Sequence, residues 1–190
     1  MNIITSGKMS GRLIAVALAV VLIFTVVAAH TTAVDAASKK MKVTSSGVKG
    51  GWFDSAYCYR DAKGNAKTRS MPLSVKDAPE DTKYYAVYMY DKSANDFVHW
   101  LAANYKSKSF PANASKNKAK NMVQGRNDFD KVGYGAPTPP SGTGTHTYVI
   151  EVYALKDKVS LDKGFSYNEF KNAIKGKVLA TATINGKCKP

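Results

Sequence analysis

The sequence predicts a mainly β protein, folded as one domain into an antiparallel β-sandwich with a few peripheral helices. Two observations favour this fold class. Several short segments are rich in aromatic and β-branched residues, and turn-forming residues fill the intervals between them. Only one segment has a clear helix signal, so helices are expected at the periphery. About 150 residues follow the apolar start of the chain, which is enough for one domain with its own core.

Four segments have the composition of strands, namely 41–45, 84–90, 97–105 and 147–155. In the last segment the even positions of 148–154 fall on one face and the odd positions of 149–153 fall on the other. Because both faces are largely apolar, this strand is expected in the middle of a sheet that is covered on both sides. Six aromatic residues are assigned to the core and its margins rather than to a ligand cage. They are Tyr84, Tyr85, Tyr88, Tyr90, Trp100 and Tyr105.

One helix is predicted near the carboxyl end of the chain. Ser166 followed three residues later by Glu169 is a capping-box pattern, which typically begins a helix. Phe170 and Ile174 then recur at helical spacing, and Gly176 can end the helix.

Two further segments have weaker patterns. Segment 178–184 is a short apolar run that fits a helix or a strand, because periodicity does not decide between them. Segment 111–135 lacks apolar periodicity and is rich in lysine, so we expect a long surface connection there.

The first 36 residues have the pattern of a secretory signal peptide, with a basic start and an apolar run at residues 13–29. Small side chains further on favour cleavage after Ala36 or Ala37, which leaves a domain of residues 37–190. The alternative is an uncleaved anchor, because the apolar run reaches the lower limit of about 17 residues for spanning a bilayer. We therefore expect a secreted or extracytoplasmic protein, anchored through residues 13–29 if the signal is kept.

The chain contains two cysteines, Cys58 and Cys188. Exported proteins meet an oxidising environment, so we predict one disulfide between them. Two separate buried thiols are the alternative. A metal site is disfavoured because the two cysteines are far apart and no CxxC pattern is present.

The chain is strongly basic, with 28 Lys and Arg residues, 14 Asp and Glu residues and a formal net charge of +14 at pH 7. Most of this excess lies in residues 37–190. Lysine-rich runs at 38–40, 106–109 and 115–120 favour an anionic membrane or cell-wall surface as the partner of an exported protein, rather than nucleic acid. The alternative is a solvated face that keeps the protein soluble.

Residues 37–190 contain two histidines, His99 and His146, and each lies within or beside a predicted strand. His146 follows a segment, 134–145, that contains three prolines and three glycines. The prolines restrict φ, whereas the glycines allow positive φ and close backbone approach. Such a segment is preorganised to form one wall of a ligand pocket.

The order of these motifs resembles the phosphatidylethanolamine-binding protein family, most closely its bacterial, Raf-kinase-inhibitor-like branch. The motifs are DFVHW at 96–100, QGRNDFDKVGYGAPTPPSGTGTHTYVIEVYAL at 124–155 and SMPLSVKDAPEDTKYYAVYMYD at 70–91. The resemblance runs from Met41 to Gly186. Its most specific part is the Gly/Pro segment followed by His-x-Tyr.

The resemblance implies a β-sandwich with a small pocket that accepts phosphate or a phosphorylethanolamine-like group. By position, the pocket residues of the family fall on Asp91, His99, Pro140 with Pro139 beside it, His146 and Tyr148. Four positions depart from the pattern of the family. Where it commonly has Asp-Pro-Asp-Ala-Pro, this chain has DKSAN at 91–95, so Ser93 replaces the second acid, and Lys92 and Asn95 replace both prolines. Thr147 stands where the family usually has arginine. The identity of the ligand is therefore open.

The residue types in this set allow more than one chemistry. Protonated His99 and His146 would donate charge-assisted hydrogen bonds to a phosphate, while Asp91 would orient one imidazole or accept from an ammonium group. Neutral imidazoles with the same carboxylate would instead form a two-histidine, one-carboxylate metal site. A third interpretation is two core histidines with backbone partners. We expect no metal and no cofactor.

The sequence thus predicts an exported protein that binds a small anion and is not an enzyme. Ser141 lacks the Gly-x-Ser-x-Gly context of a nucleophile elbow, and the GTGTH sequence at 142–146 lacks the strand–turn–helix context of a phosphate loop. Two alternatives stay open. One is a protein-interaction module, such as a protease inhibitor. The other is an unrecognised hydrolase that uses Asp91 and the histidines.

Overall fold

The computed structural model describes residues 40–58 and 69–190, so the predicted signal segment lies outside the described residues. Within the described ranges, ten strands form two sheets. The smaller sheet has three strands in the order β1–β4–β7, which are Lys42–Thr44, Leu73–Lys76 and Ser109–Phe110. Both pairings in this sheet are antiparallel.

The larger sheet has seven strands in the order β2–β3–β10–β9–β5–β6–β8. In that order they are Val48–Lys49, Trp52–Phe53, Val178–Cys188, His146–Leu155, Tyr84–Asp91, Phe97–Tyr105 and Val123–Gln124. All pairings are antiparallel except that of β3 with β10, where Trp52 lies beside Lys187 in a parallel register. The mainly β prediction is confirmed, but the sheet is mixed rather than purely antiparallel.

Strand β9 lies in the middle of the larger sheet, as the apolar character of both its faces predicts. Tyr148, Ile150 and Val152 pack on the face that shares a core with the smaller sheet. On the opposite face, Leu155 packs with the helix residues Phe170 and Ile174. The sheet is therefore covered on both sides, and this burial fixes the positions of the strand ends that form the site.

The predicted helix is α2, Tyr167–Ile174, and its capping box is present. The Ser166 amide donates to Glu169 Oε2 at 2.7 Å, and the Glu169 amide donates to Ser166 Oγ at 3.3 Å. Segment 178–184, which fits either a helix or a strand by periodicity, is part of strand β10. This segment pairs with residues 150–155 of β9, and the rest of β10 pairs with residues 146–149.

The prediction of a surface connection at 111–135 is wrong in part. This segment contains the short helix α1, Ala114–Asn117, and strand β8, and several of its side chains are buried. Buried Gln124 accepts hydrogen bonds at Oε1 from Trp100 Nε1 at 2.9 Å and from Ser115 Oγ at 2.7 Å. Polar side chains with internal hydrogen bonds hold the segment in place. Such side chains cannot be recognised from apolar periodicity, so the sequence did not indicate their burial.

The predicted disulfide joins Cys58 to Cys188, with the Cα atoms 6.2 Å apart and both side chains buried. Cys188 lies directly opposite His146 in the register of β10 with β9. The bridge therefore ties the segment before residue 59 to the end of the sheet that carries His146. Among the described residues, no helix is long and apolar enough to cross a membrane.

Candidate functional site

All six residues predicted for the pocket line one cavity of about 490 Å³, which we call the histidine cavity. Asp91 is the last residue of β5, His99 is the third residue of β6, and His146 is the first residue of β9. Because β5 is antiparallel to both neighbours, its end and their starts meet at one edge of the sheet. The topology thus brings together residues that are far apart in sequence.

A chain of hydrogen bonds links buried Asp91 and His146 to the exposed residue Thr143. His146 Nδ1 lies 2.6 Å from Asp91 Oδ2, and His146 Nε2 lies 2.8 Å from Thr143 Oγ1. The other Asp91 oxygen accepts the Ser93 amide at 2.9 Å. Asp91 is only 3% exposed and His146 only 7%. The carboxylate therefore fixes the orientation of the imidazole and makes Nδ1 a donor.

The role of His146 Nε2 depends on which group donates in its bond with Thr143. Thr143 Oγ1 also lies 2.8 Å from the Pro140 carbonyl oxygen, which can only accept. When the hydroxyl donates to that carbonyl, it must accept from His146 Nε2, and both ring nitrogens then carry protons. When the hydroxyl instead donates to Nε2, that nitrogen is the acceptor, so the bond with Thr143 is possible in either direction.

His99 has a different environment. Its Nδ1 donates to the Gly135 carbonyl oxygen at 2.9 Å. Burial lowers the pKa of His99, and this effect outweighs the hydrogen bond to Gly135 and the nearby carboxylates of Asp91 and Asp128, which raise the pKa. The ligand-free protein at neutral pH thus holds His99 as a neutral ring with an unprotonated Nε2.

Tyr148 lies between the two imidazoles. Its ring is edge-on to His99 at 5.1 Å and nearly parallel to His146 at 6.4 Å between centroids. Burial raises the pKa of Tyr148, and the charge of Asp91 together with a hydrogen bond to that carboxylate raises it further. The phenol therefore stays protonated. Asp91 is the shared acceptor for the hydroxyl, the imidazole and the Ser93 amide.

Two phenylalanines that the sequence prediction did not include also line the cavity, together with serine and threonine side chains. Phe97 and Phe129 pack edge to face at 4.9 Å, and Phe129 is 41% exposed. Pro139 is buried and Pro140 is exposed at the rim. Phe97 was predictable, because it lies two residues before His99 and therefore on the same face of β6.

Phe129 and Thr143 belong to loops, where the sequence has no period to indicate which side chains face the cavity. Asn127 holds the loop of Phe129, because its Nδ2 donates to the Gly133 carbonyl at 2.9 Å and its Oδ1 accepts the Phe129 amide at 3.1 Å. Gly133 has a φ of +102°. These hydrogen bonds thus place the Phe129 side chain at the mouth of the cavity.

Two of the departures from the pattern of the family, Ser93 and Thr147, have different positions relative to the cavity. Ser93 lines the histidine cavity, and its Oγ accepts the Thr147 amide at 3.0 Å, which ties the turn after β5 to the start of β9. Thr147 does not line this cavity. Serine in place of the second acid therefore leaves one carboxylate, Asp91, among the lining residues.

The part of the chain that the structure describes contains no set of ligands for the alternative metal site. No group of three or more His, Cys, Asp or Glu side chains there is placed to hold a metal ion. In the histidine cavity, Asp91 is bonded to His146 Nδ1, and His99 Nδ1 is bonded to a backbone carbonyl.

Comparison with known proteins gives the identity of the fold. The sequence profile of the phosphatidylethanolamine-binding protein family matches residues 35–189. The chain belongs to this family. It lies in the bacterial branch, where YbcL of Escherichia coli is 30% identical over 174 residues, which cover 86% of this chain and 94% of YbcL. The resemblance inferred from the motifs is thereby confirmed.

Solved structures agree with this membership of the phosphatidylethanolamine-binding protein family. The crystal structure of E. coli YbcL matches with a TM-score of 0.70 and 28% identity, over 80% of this chain and 99% of YbcL. A homologue from Chlamydia trachomatis, CT736, matches with a TM-score of 0.66 and 25% identity, over 80% of this chain and 98% of the homologue. A relative from Pyrococcus horikoshii is 32% identical, and the chain spans 62% of its length.

Proposed function

We propose that this protein binds a small phosphate-bearing molecule in the histidine cavity, outside the cytoplasm, and does not transform it. The observation that carries the proposal is the hydrogen-bonded chain from buried Asp91 through His146 to Thr143. These hydrogen bonds hold the His146 imidazole so that Nε2 faces the Thr143 hydroxyl at the cavity wall rather than a fixed acceptor in the core. A phosphate oxygen can replace that hydroxyl and form a stronger, charge-assisted bond.

The second imidazole adds a pH dependence to binding. His99 is neutral without a ligand because burial lowers its pKa. A bound anion favours the protonated ring, so binding takes up a proton and raises the pKa of His99. Affinity is therefore greatest at low pH and declines as the pH rises through the pKa of the bound state.

The size of the cavity and the apolar side chains that line it indicate what the ligand carries besides its phosphate group. A cavity of about 490 Å³ lies in the usual size range of small-molecule sites, about 300 to 1,000 Å³, and leaves space beside a single phosphate. Phe97, Phe129 and Pro140 would contact a non-polar portion. The name of the family supports a phospholipid-headgroup-like molecule such as phosphorylethanolamine, and the chemistry of the wall agrees with it.

Calorimetric titration with phosphorylethanolamine at pH 5.5 and pH 8 tests the proposal. The wild type should bind more tightly at pH 5.5. His146→Ala should lose about 1.5 to 3 kcal/mol of binding free energy, since it removes a charged donor. Lys92→Gln is the matched control, because Lys92 is exposed beside the cavity but does not line it. Unchanged affinity in His146→Ala at both pH values would refute the proposal.

Hydrolysis is the second candidate function, and one observation favours it. Thr143, His146 and Asp91 stand in the order of nucleophile, base and orienting carboxylate that hydrolases use. The Pro140 carbonyl competes with His146 for the Thr143 hydroxyl proton, which weakens the case. Turnover of a p-nitrophenyl ester that Thr143→Val abolishes would establish this function instead. Protease inhibition, the other alternative from sequence, is checked by adding the protein to serine-protease assays.

A further inference from the structure

A second cavity, of about 770 Å³, lies at the other end of the same strands. Tyr84, the first residue of β5, lines it, whereas Asp91, the last residue of β5, lines the histidine cavity. Seven residue steps along an extended strand separate these two residues by about 23 Å. Asn104 and Tyr105 at the end of β6 also line the second cavity. It is therefore separate from the histidine cavity, and we call it the lysine cavity.

Three lysines from three separate segments line the lysine cavity: Lys106 after β6, Lys120 before β8 and Lys158 after β9. Lys106 and Lys120 come from two of the lysine-rich runs of the sequence, 106–109 and 115–120, which the fold brings together. No ion pair involves any of the three within residues 40–58 and 69–190. No acidic side chain is among the lining residues. The positive charge at this cavity is thus uncompensated.

The wall that carries Lys158 is held by an unusual contact. Asn104 has a φ of +65°, and its side chain bonds the backbone of Val159 twice, with Nδ2 donating to the carbonyl and Oδ1 accepting the amide, each at 2.9 Å. Lys177 Nζ also donates to the Lys158 carbonyl at 3.1 Å. These bonds fix the 158–161 segment against the end of β6, so the cavity is preformed rather than a chance opening between loops.

We propose that the lysine cavity is a second anion site, which binds a soluble molecule with several linked phosphate groups. Three separated ammonium groups suit several charges on one ligand, whereas a single phosphate contacts only some of them. Ser107, Ser160 and Asn121 supply neutral donors between the lysines. The cations surround a concavity, which a flat bilayer surface does not enter as readily as a short flexible anion. This site is independent of the function proposed for the histidine cavity.

Inorganic tripolyphosphate is the probe, titrated calorimetrically at low ionic strength into the full exported chain. The triple variant Lys106→Gln, Lys120→Gln, Lys158→Gln should bind it roughly tenfold more weakly, because each exposed ion pair contributes up to about fivefold. The matched control changes Lys42, Lys131 and Lys187 to Gln, which removes the same charge from exposed positions outside both cavities. The control should retain its affinity for tripolyphosphate within about twofold, because its substitutions remove only long-range attraction, which salt screens.

Three further measurements distinguish a specific site from general charge attraction and from membrane binding. The three lysine substitutions should weaken tripolyphosphate binding by the same factor in the His146→Ala background as in the wild type, because they act at the other cavity. Asn104→Ala, which releases Val159, should weaken binding with all three lysines intact, and its thermal unfolding shows whether it folds. Equal losses in the two triple variants would overturn the proposal in favour of general charge attraction. If phosphatidylglycerol vesicles bound the protein through the three lysines and tripolyphosphate did not bind, the proposal would be overturned in favour of a membrane partner.

Discussion

Asp91 is the residue on which the histidine cavity depends. Its carboxylate is buried and accepts from an imidazole, a backbone amide and the Tyr148 hydroxyl. A buried carboxylate that accepts several hydrogen bonds confers fixed geometry on each donor. These bonds make the positioning of His146 a role of Asp91.

His99 makes the stability of the fold depend on pH. Burial lowers its pKa in the folded protein below the value of about 6.5 expected for the unfolded chain. Between these two values the unfolded chain binds a proton that the folded chain does not, so the unfolding free energy falls as the pH drops through 6.5. Urea unfolding at pH 7.5 and pH 5 should show a larger loss for the wild type than for His99→Gln. Equal losses would show that His99 is not held neutral.

At this scale the sequence predicts which residues line the histidine cavity where their chemistry is distinctive. Asp91, His99 and His146 are rare residue types within strand patterns, and the resemblance to the family assigns them together. Phe129 and Thr143 were missed because their positions depend on loop conformations that hydrogen bonds set, such as that of Asn127 with Gly133. Strand periodicity carries no information about such loops.

At the scale of elements, the contact of β3 with β10 supports Tyr148, which lines the histidine cavity. Phe53 on β3 packs against the Tyr148 ring at 5.7 Å and covers Gly186 on β10. A Cβ atom at position 186 would lie 1.8 Å from the Phe53 ring, so a side chain there displaces Phe53. The missing side chain of Gly186 is therefore what allows this packing.

Gly186→Ala should lower the free energy of unfolding by about 1 to 3 kcal/mol, the usual cost of overpacking a core. Chemical denaturation measures the change, and Thr183→Ala serves as the control because Thr183 is exposed on the same strand. If Gly186→Ala were as stable as the control, the contact of Phe53 with β10 would not have the packing described.

Strands β5, β6 and β9 and the capped helix follow from local sequence, but the longest strand, β10, and most of the short elements do not. Segments 84–90 and 97–105 are predicted nearly to the residue, because eight or nine residues are enough to establish a strand composition. Strands β2, β3 and β8 have two residues each and form only because the larger sheet offers them an edge. Burial within 111–135 was missed because hydrogen bonds of Ser115 and Gln124, rather than apolar side chains, hold it.

At the scale of the whole molecule, one covalent bond joins distant parts of the chain. The disulfide of Cys58 with Cys188 closes a loop with a sequence separation of 130 residues. Loop-closure entropy gives an upper value of roughly 5 kcal/mol for its contribution to stability.

Reduction of this disulfide should lower the unfolding free energy by a few kcal/mol. Because Cys188 pairs with His146 across β10 and β9, reduction should also weaken phosphorylethanolamine binding. Denaturation and titration with and without reductant measure both effects, and a Cys58→Ser, Cys188→Ser variant, which should not respond to reductant, is the control. Equal stability of the oxidised and reduced proteins would contradict the expected role of the bridge.

The charge of the molecule also belongs to this scale. Uncompensated lysines collect at one end of the long strands, and a single buried carboxylate with two imidazoles lies at the other. Composition predicts a basic protein with anionic partners, but only the topology separates two candidate sites about 23 Å apart. Export stays a prediction from residues 1–36, and N-terminal sequencing of the extracellular protein checks it.

The central claim, that the histidine cavity binds a phosphate group through its imidazoles, is tested most directly by nitrogen NMR of the histidine rings. The resonances of His99 and His146 are followed across a pH titration with and without saturating phosphorylethanolamine. The account predicts that the ligand shifts both rings and raises the pKa of His99. Rings with the same resonances and the same titration in the presence of saturating ligand would contradict it.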